Sequence, residues 1–424
     1  MKTKYDLIVV GGGFAGTAAA IEAAKHGAEV LLIEKYNCLG GAAAYALVSP
    51  FMAYWTRDPE TKARKYLAGD LFNEIVEASM ALTRPSVDIP PIRDSLFDEE
   101  AMKLAMLRMA RKYGVTLLFN TTVTAVDAKD GVLRSVKAVC KAVQMEFYAD
   151  SFIDATGDAE LSFLAGCECE LGREGDGLCQ PMTLCFRVGD IDKEKFMQGR
   201  PKMQALYKEW QAAGRISNPR ENVLVFQNYN GGVMHFNTTR VIRKSPTDPF
   251  ALTEAEIEAR EQVFEMMEFL RTAVDGCENA RLLSTALHIG IRESRRVVGE
   301  YTLCEKDLVS LARFEDAIAV SNYAIDIHSP DGSGTRFQEF KDGEWYEIPY
   351  RSLLPKGYEN LLVAGRCISS THEAQASYRI MPFCAAIGHA AGCAAAVAKQ
   401  SGKTVRTVSV AKVQEILRSE GAVI

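Results

Sequence analysis

The glycine cluster near the N-terminus constrains the fold of this chain more than any other feature. An apolar run from Asp6 to Val10 leads into the sequence GGGFAG at residues 11–16, and an Ala-rich stretch then continues to Gly27. This order predicts a strand, a glycine turn and a helix that ends at Gly27. Backbone N–H groups and the positive end of the helix dipole meet at such a turn, so it predicts an anion site.

The glycines of this turn have separate roles. Gly11 permits the tight turn, Gly13 lets the backbone approach a pyrophosphate, and Gly16 lets the helix pack closely on the strand. A second predicted strand, Glu29 to Ile33, ends at Glu34, close to the distance of about 20 residues at which a carboxylate binds ribose hydroxyls. Glu34 also argues against a 2′-phosphate at that position. The sequence therefore predicts dinucleotide binding.

Composition limits the remaining possibilities. The 424 residues suffice for two or three packed units, and 48% apolar with 25% charged residues is typical of a globular chain. The net charge of -6, without a clustered basic stripe, argues against a nucleic-acid partner. We expect no membrane span and a cytoplasmic location, because no apolar stretch is long enough for a span or a signal peptide. The 11 cysteines include no CxxC pair, so no metal site is predicted.

Three further segments carry a family resemblance. The sequence KYNCLGGA at residues 35–42 is a second glycine turn directly after Glu34, which a simple nicotinamide domain does not require. Together they resemble the FAD domain of the glutathione-reductase superfamily, in its branch related to succinate dehydrogenase and fumarate reductase flavoproteins. FIDATGD at residues 152–158 is similar to the strand of that family that ends in Ala-Thr-Gly. LLVAGR at residues 361–366 is similar to its last FAD strand.

The chain also resembles, over roughly its whole length, the broad bacterial FAD-dependent oxidoreductase domain family. The matching motifs are IGIRESRRVVG at residues 289–299, HEA at 372–374 and RIMP at 379–382. The resemblance implies an α/β fold with a Rossmann-like, three-layer ββα FAD/NAD(P)-binding domain and an inserted mixed α+β substrate domain. It implies FAD as the cofactor, in contact with Gly11, Gly13, Phe14, Ala15, Gly16, Glu34, Lys35, Gly40, Gly41, Ala42, Val123, Ala155, Thr156, Gly157, Gly365, Arg366, Met381, Pro382 and Ile387.

Two consequences follow from this resemblance. Many relatives carry an acidic residue that bonds the ribityl chain at the position where this sequence has Arg366. A small-residue helix after Met381 and Pro382 would point its N-terminus at the pyrimidine edge of the flavin, where negative charge develops on reduction. Because only one glycine cradle exists, no separate NAD(P)H domain is predicted, and reducing equivalents would come from a substrate or a partner.

The predicted domain order follows these motifs. Residues 1–160 form the first part of the FAD-binding domain, with a helical insertion at 50–97, and residues 350–424 form its C-terminal part. Residues 161–349 form the substrate domain. Within the first part we expect helices at about 59–82 and 98–113 with a loop at 84–91 between them. A β-meander over residues 115–150, with a turn at Asp130-Gly131, completes it.

Candidate catalytic residues follow from their expected distance to the flavin. His372 lies just after the last FAD strand and Arg379 just before the Met381-Pro382 turn. A histidine there could exchange a proton, and an arginine could bind a carboxylate. Side chains that only anchor the loops are an equally open interpretation.

Two weaker candidates lie in the substrate domain. His328 ends an apolar run and begins a Gly-rich loop, where cleft residues are often displayed, although a solvated loop histidine also fits. Arg292, Arg295 and Arg296 have helical spacing and could bind an anionic substrate or phosphates. A helix with ion pairs to acidic neighbours is the alternative.

These observations favour an FAD-dependent oxidoreductase that transfers a hydride between flavin N5 and a small anionic or polar substrate. A flavin-using RNA-modifying enzyme is an alternative class, although the acidic charge balance counts against it. An electron-relay flavoprotein subunit is another. A homo-oligomer and an electron-transfer partner are both left open by the sequence.

Overall fold

The computed structural model describes residues 2–68, 70–83, 96–228, 231–332 and 334–424. Its strands, in chain order, are β1 (Lys4–Val10), β2 (Val30–Ile33), β3 (Trp55–Arg57), β4 (Arg64–Tyr66), β5 (Thr116–Leu118), β6 (Thr122–Lys129), β7 (Val132–Cys140), β8 (Val143–Asp154), β9 (Cys169–Leu171), β10 (Phe186–Gly189), β11 (Val225–Gln227), β12 (Met234–Phe236), β13 (Arg281–Thr285), β14 (Arg295–Val297), β15 (Ala317–Ser321), β16 (Ile325–His328), β17 (Thr335–Gln338), β18 (Tyr346–Pro349) and β19 (Leu361–Val363). The helices are α1 (Phe14–Lys25), α2 (Ala42–Tyr45), α3 (Asp70–Met80), α4 (Glu99–Lys112), α5 (Glu160–Leu164), α6 (Lys193–Ala212), α7 (Pro249–Ala273), α8 (Glu305–Val309), α9 (His372–Tyr378), α10 (Met381–Ser401) and α11 (Val410–Ser419), with a 3-10 helix at Tyr350–Leu353.

A largely parallel sheet forms the first core. Its order is β5-β2-β1-β8-β7-β6, and β19 also pairs with β8. Strands β2 and β19 are buried at every residue, which is typical of parallel strands covered on both faces. Val10 pairs with Ile33 and with Asp154, and Asp154 also pairs with Val363. The carboxyl ends of four strands therefore meet at one edge, and the predicted α/β fold is confirmed.

The predicted β-meander is also confirmed, and it forms one edge of this sheet. Strands β6, β7 and β8 pair antiparallel, and the turn between β6 and β7 consists of Asp130 and Gly131. Both residues have positive φ, 53° and 76°, which is the backbone conformation of a tight two-residue hairpin.

Helices α1 and α10 cross in direct backbone contact. A Cβ atom on Gly388 would lie 2.0 Å from the carbonyl oxygen of Ala15, and one on Gly392 would lie 2.4 Å from that of Ala19. Glycine is therefore required for this crossing. Among the described residues α10 is the one helix apolar and long enough to cross a membrane, but 89% of its most apolar stretch is buried within the protein, as in a core helix.

A second core surrounds the antiparallel sheet β11-β12-β10-β13 and helices α6 and α7. Its buried residues run from Met182 to Ile289, with Leu47 added from the N-terminal part. Strands β15 and β18, which the sequence analysis assigned to the substrate domain, pack in the first core instead. The reason is that β15 contacts α10 and α11. The second core is thus shorter than the predicted segment 161–349.

The predicted helical insertion is partly wrong. Residues from Asp70 onward form α3, but strands β3 and β4 form a hairpin where a helix was expected from residue 59. The Asp58 carboxylate accepts the N–H groups of Glu60 and Thr61, which stabilises a turn between the two strands. The predicted loop at 84–91 lies outside the described residues. The second predicted helix, at 98–113, is present as α4.

Candidate active site

A cavity of about 350 Å³ lies where the carboxyl ends of β1, β8 and β19 meet the start of α1. Gly11 has φ +100°, and a Cβ atom there would lie 2.5 Å from the carbonyl oxygen of Ala155, so only glycine lets the two strand ends approach. Most residues that the resemblance assigned to the cofactor line this cavity, namely Gly11, Gly13, Phe14, Ala15, Glu34, Lys35, Gly41, Ala42, Val123, Ala155, Thr156, Gly157, Gly365, Arg366 and Met381.

The cradle end of the cavity fits a dinucleotide. The first bond within α1 runs from the Thr17 N–H to the Gly13 carbonyl, 2.9 Å, so the N–H groups of residues 14–16 point out of the helix end. The nearest atom to a Cβ built on Gly13 is the Gly41 Cα at 3.8 Å, so this position borders open space. These donors and this space suit a pyrophosphate.

Glu34 is fixed beside the cradle. Its carboxylate accepts the N–H groups of Gly12 and Tyr36 and is 5% exposed. Burial raises the pKa of Glu34, although these two N–H donors oppose that effect. The carboxylate lines the cavity at the position that the sequence predicted for ribose binding.

Four predicted cofactor residues do not line the cavity: Gly16, Gly40, Pro382 and Ile387. A Cβ atom on Gly16 would lie 1.8 Å from the Gly11 carbonyl oxygen, so Gly16 serves helix–strand packing. Gly40 has φ +113° and donates its N–H to the Gly12 carbonyl oxygen, which holds the second glycine turn against the first. Pro382 lies in the first turn of α10, and Ile387 is fully buried in the core.

Arg366 replaces the acidic residue of many relatives, but a carboxylate is still present beside it. Its Nη2 donates to Asp158 Oδ1 at 2.7 Å, and the same oxygen accepts the Ser294 hydroxyl. Burial alone would lower the pKa of Arg366, yet Asp158 outweighs burial and raises it. Both Arg366 and Asp158 line the cavity, so this part of the lining has a carboxylate from the segment after β8.

The opposite end of the cavity is cationic. Arg292 donates through Nη1 to the Pro181 carbonyl and to the Thr183 hydroxyl, both within 2.7 Å. Arg379 donates to the Asp326 carbonyl at 3.1 Å, and its buried Nη1 has no hydrogen-bond partner among the described residues. Burial, with nearby guanidinium groups, lowers the pKa of Arg292 to about 9. Two desolvated cations therefore face the cavity.

The predicted helix around Arg292 is absent. Arg295–Val297 is strand β14, which pairs with β9, so the three arginines diverge. Arg295 stacks its guanidinium 4.1 Å from the centre of the Phe163 ring, while Arg296 bonds the Glu293 carboxylate. The ladder with β9, a partner more than a hundred residues away, overrides the helical spacing.

His328 lies behind the cationic end rather than in the cavity lining. Its Nδ1 is 2.9 Å from Arg240 Nη2, and its Nε2 is 3.5 Å from the Asp326 carboxylate. Burial and the charge of Arg292 lower the pKa of His328 to about 3, so the imidazole is neutral near pH 7. The neutral ring accepts a hydrogen bond from Arg240 and so orients that guanidinium. Because His328 is only 9% exposed, the alternative interpretation of a solvated loop histidine is wrong.

His372 does not line the cavity either. It begins α9, and its Nδ1 lies 2.8 Å from the Glu293 carboxylate, which also accepts from Arg296 and from the Gln180 N–H. All four side chains are buried. This position supports the anchoring role that the sequence left open for His372 rather than proton exchange with a substrate.

Comparison with known proteins identifies the family. A model of the FAD dependent oxidoreductase family matches residues 6–417. The chain belongs to this family. The cofactor of this family is FAD. The two glycine turns and the N-terminal end of α1 are the parts of this chain that suit FAD.

Individual relatives match shorter parts. The chain is 63% identical over 41 residues to a vinyl phenol reductase of Lactiplantibacillus plantarum, covering 10% of this chain and 8% of that protein. It is 26% identical over 182 residues to the digeranylgeranylglycerophospholipid reductase of Methanoculleus marisnigri, covering 40% and 42%. The structure of a geranylgeranyl bacteriochlorophyll reductase-like protein of Thermoplasma acidophilum aligns with 14% identity and a TM-score of 0.47, covering 98% and 84%. The chain thus spans less than half the length of the two reductases named first, the vinyl phenol reductase and the digeranylgeranylglycerophospholipid reductase.

Several residues that line the cavity were not predicted from the sequence. Tyr36 stacks on His288, with ring centres 5.0 Å apart, and Tyr45 packs against both rings. Asn237 lines the cavity, and its Oδ1 has no hydrogen-bond partner among the described residues. The aromatic residues could have been suspected from their place around the second glycine turn. Asn237 carries no local signal, because it enters the cavity from the second core.

Proposed function

We propose that this FAD-dependent oxidoreductase transfers a hydride between flavin N5 and a small organic anion whose charged group binds Arg292 and Arg379. One observation carries the proposal. Both arginines line the cavity and are desolvated there, and no described carboxylate forms an ion pair with either, although the charge of Asp326 acts on both. Two desolvated positive charges thus share one nearby carboxylate, and a bound carboxylate would supply a second counter-charge.

The surrounding bonds orient the two arginines for this task. The Pro181 carbonyl and the Thr183 hydroxyl hold one edge of Arg292, while the Asp326 carbonyl holds Arg379 through Nη2. The remaining N–H groups are left for a ligand, and a planar guanidinium matches a carboxylate in two parallel hydrogen bonds. When bound, FAD supplies the two-electron hydride chemistry.

The substrate class can be tested by following flavin bleaching without oxygen. The holoenzyme is mixed with pairs of compounds that share one carbon skeleton and differ only in a carboxylate or a carboxamide. We expect the carboxylate of one pair to bleach the flavin on the order of 100-fold faster than its amide, the size expected for hydrogen bonds to a buried charge. Equal rates for both members of every reactive pair would contradict the proposal.

A further inference from the structure

A second cluster of chemically reactive side chains lies away from the cavity, where the end of α1, the middle of α10 and the residue after α11 meet. It consists of Glu22, His389, Cys393 and Glu420, and one ligand atom from each lies within 4.8 Å of all the others. Three of the four side chains are fully or almost fully buried, and Glu420 is 20% exposed.

The helix crossing explains why these residues meet. A Cβ atom on Gly392 would lie 2.9 Å from the Glu22 Cβ, so α10 runs directly against Glu22. His389 and Cys393 are four residues apart and therefore share one face of α10. His389 Nε2 lies 2.7 Å from Glu420 Oε2 and 3.5 Å from Glu22 Oε2, and Cys393 Sγ lies 3.7 Å from Glu22 Oε1.

Two carboxylates of this cluster carry negative charge that a bound cation would neutralise. The carboxylates of Glu22 and Glu420 are within hydrogen-bonding distance of each other, and like charges so close in the interior require a shared proton or a cation. Lys25 bonds both carboxylates, at 3.1 and 3.3 Å, and His26 Nε2 lies 2.8 Å from Glu22 Oε1 and 3.3 Å from Glu420 Oε1, but both side chains are partly exposed. His389 and Cys393, which are buried beside Glu22, each add one soft or borderline donor atom.

We propose that Glu22, His389, Cys393 and Glu420 bind a divalent ion of the zinc class. Nitrogen, sulfur and oxygen donors together select Zn²⁺ over Mg²⁺ and Ca²⁺, which prefer oxygen alone. Binding releases the Cys393 thiol proton, and any proton shared by the two carboxylates, to solvent. Four protein ligands leave no open position, so the ion is structural and ties the C-terminal segment to α1 and α10.

Metal analysis of the untagged full-length holoenzyme tests this site. After passage over a chelating resin, we expect about one zinc per chain by mass spectrometry of the elements, and loss of that zinc in Cys393→Ser and His389→Gln. The matched control is Cys277→Ser, a buried cysteine of the second core, which keeps the metal. Lys25→Met also keeps it, because the ammonium group is not a ligand.

A second readout guards against variants that fail to fold. Glu420→Gln changes a partly exposed side chain, and added zinc should raise the melting temperature of the wild-type holoenzyme more than that of this variant, with unchanged flavin absorbance. A wild-type protein that carries no metal and whose melting temperature zinc does not move would overturn the proposal. The cluster would then be an ion-pair network neutralised by Lys25 and protons, whatever the outcome for the substrate site.

Discussion

The two ends of the cavity are built in opposite ways. The cradle end uses backbone groups of one continuous segment, in which the N–H groups of residues 14–16 point out of the start of α1. The cationic end uses side chains from distant segments, with Arg292 and Arg379 brought together by tertiary contacts. The cradle end should therefore tolerate substitutions of neighbouring side chains but not a Cβ atom at its glycines. The cationic end depends on two desolvated positive charges for which Asp326 is the shared counter-charge.

The largest expected effect breaks the cradle. The Cβ atom of Gly13→Val meets no protein atom closer than the Gly41 Cα at 3.8 Å, so the chain should fold. The branched side chain then occupies the space assigned to the pyrophosphate, and FAD affinity should fall on the order of 100-fold. Bound FAD per chain and circular dichroism measure the two effects. Gly27→Ala, where φ is +85° and no atom lies within 4 Å, is the control that keeps FAD. Full FAD content in Gly13→Val would refute the assigned cradle.

The next effect breaks the cationic end. Arg379→Met should lower kcat/KM for an anionic substrate on the order of 100-fold, because the charge-assisted hydrogen bonds are lost. Stability should change little, since the apolar side chain removes the desolvation cost of the guanidinium but also its attraction to Asp326. Urea unfolding measures the change in stability, and steady-state kinetics measure the change in kcat/KM. A large loss of stability would indicate that Arg379 has a structural role instead.

The contrast explains what the sequence could predict. Gly11, Gly13 and Glu34 act within one short segment, so their spacing was enough to predict the strand, the turn, the helix and the acidic residue. The spacing of Arg292, Arg295 and Arg296 predicted a helix, but pairing with β9 made a strand. The role of His372 depends on Glu293, which lies 79 residues away and whose partnership no local pattern reveals.

A smaller effect concerns the anchor behind the cationic end. Glu293→Gln removes the carboxylate shared by Arg296 and His372 and leaves the buried Arg296 guanidinium without its closest carboxylate, so we expect a loss of about 3–5 kcal/mol in the free energy of unfolding. The pH profile of kcat should keep its shape, because His372 does not line the cavity. Glu300→Gln, which weakens a more exposed pair with Arg406, is the matched control. A changed pH profile at unchanged stability would restore His372 as a catalytic residue.

The smallest effect concerns pH. His328 has its pKa lowered from 6.5 to about 3, so the folded state stays neutral while the unfolded state takes up a proton below pH 6.5. Its stabilising contribution is present above pH 6.5 and is lost as the pH falls toward 3. The free energy of unfolding should therefore decrease more between pH 7.5 and pH 5 in the wild type than in His328→Asn. An equal fall in both proteins would contradict the neutral imidazole.

The most direct test of the cationic end is the binding of simple carboxylates to the oxidised holoenzyme, followed by the change in the flavin spectrum. Wild type and Arg295→Met, whose guanidinium stacks on Phe163 outside the cavity lining, should bind with equal affinity. Arg292→Met and Arg379→Met should each bind on the order of 100-fold more weakly while retaining FAD. Equal affinity in all four proteins would show that the anion binds elsewhere and would contradict an anionic substrate at this site.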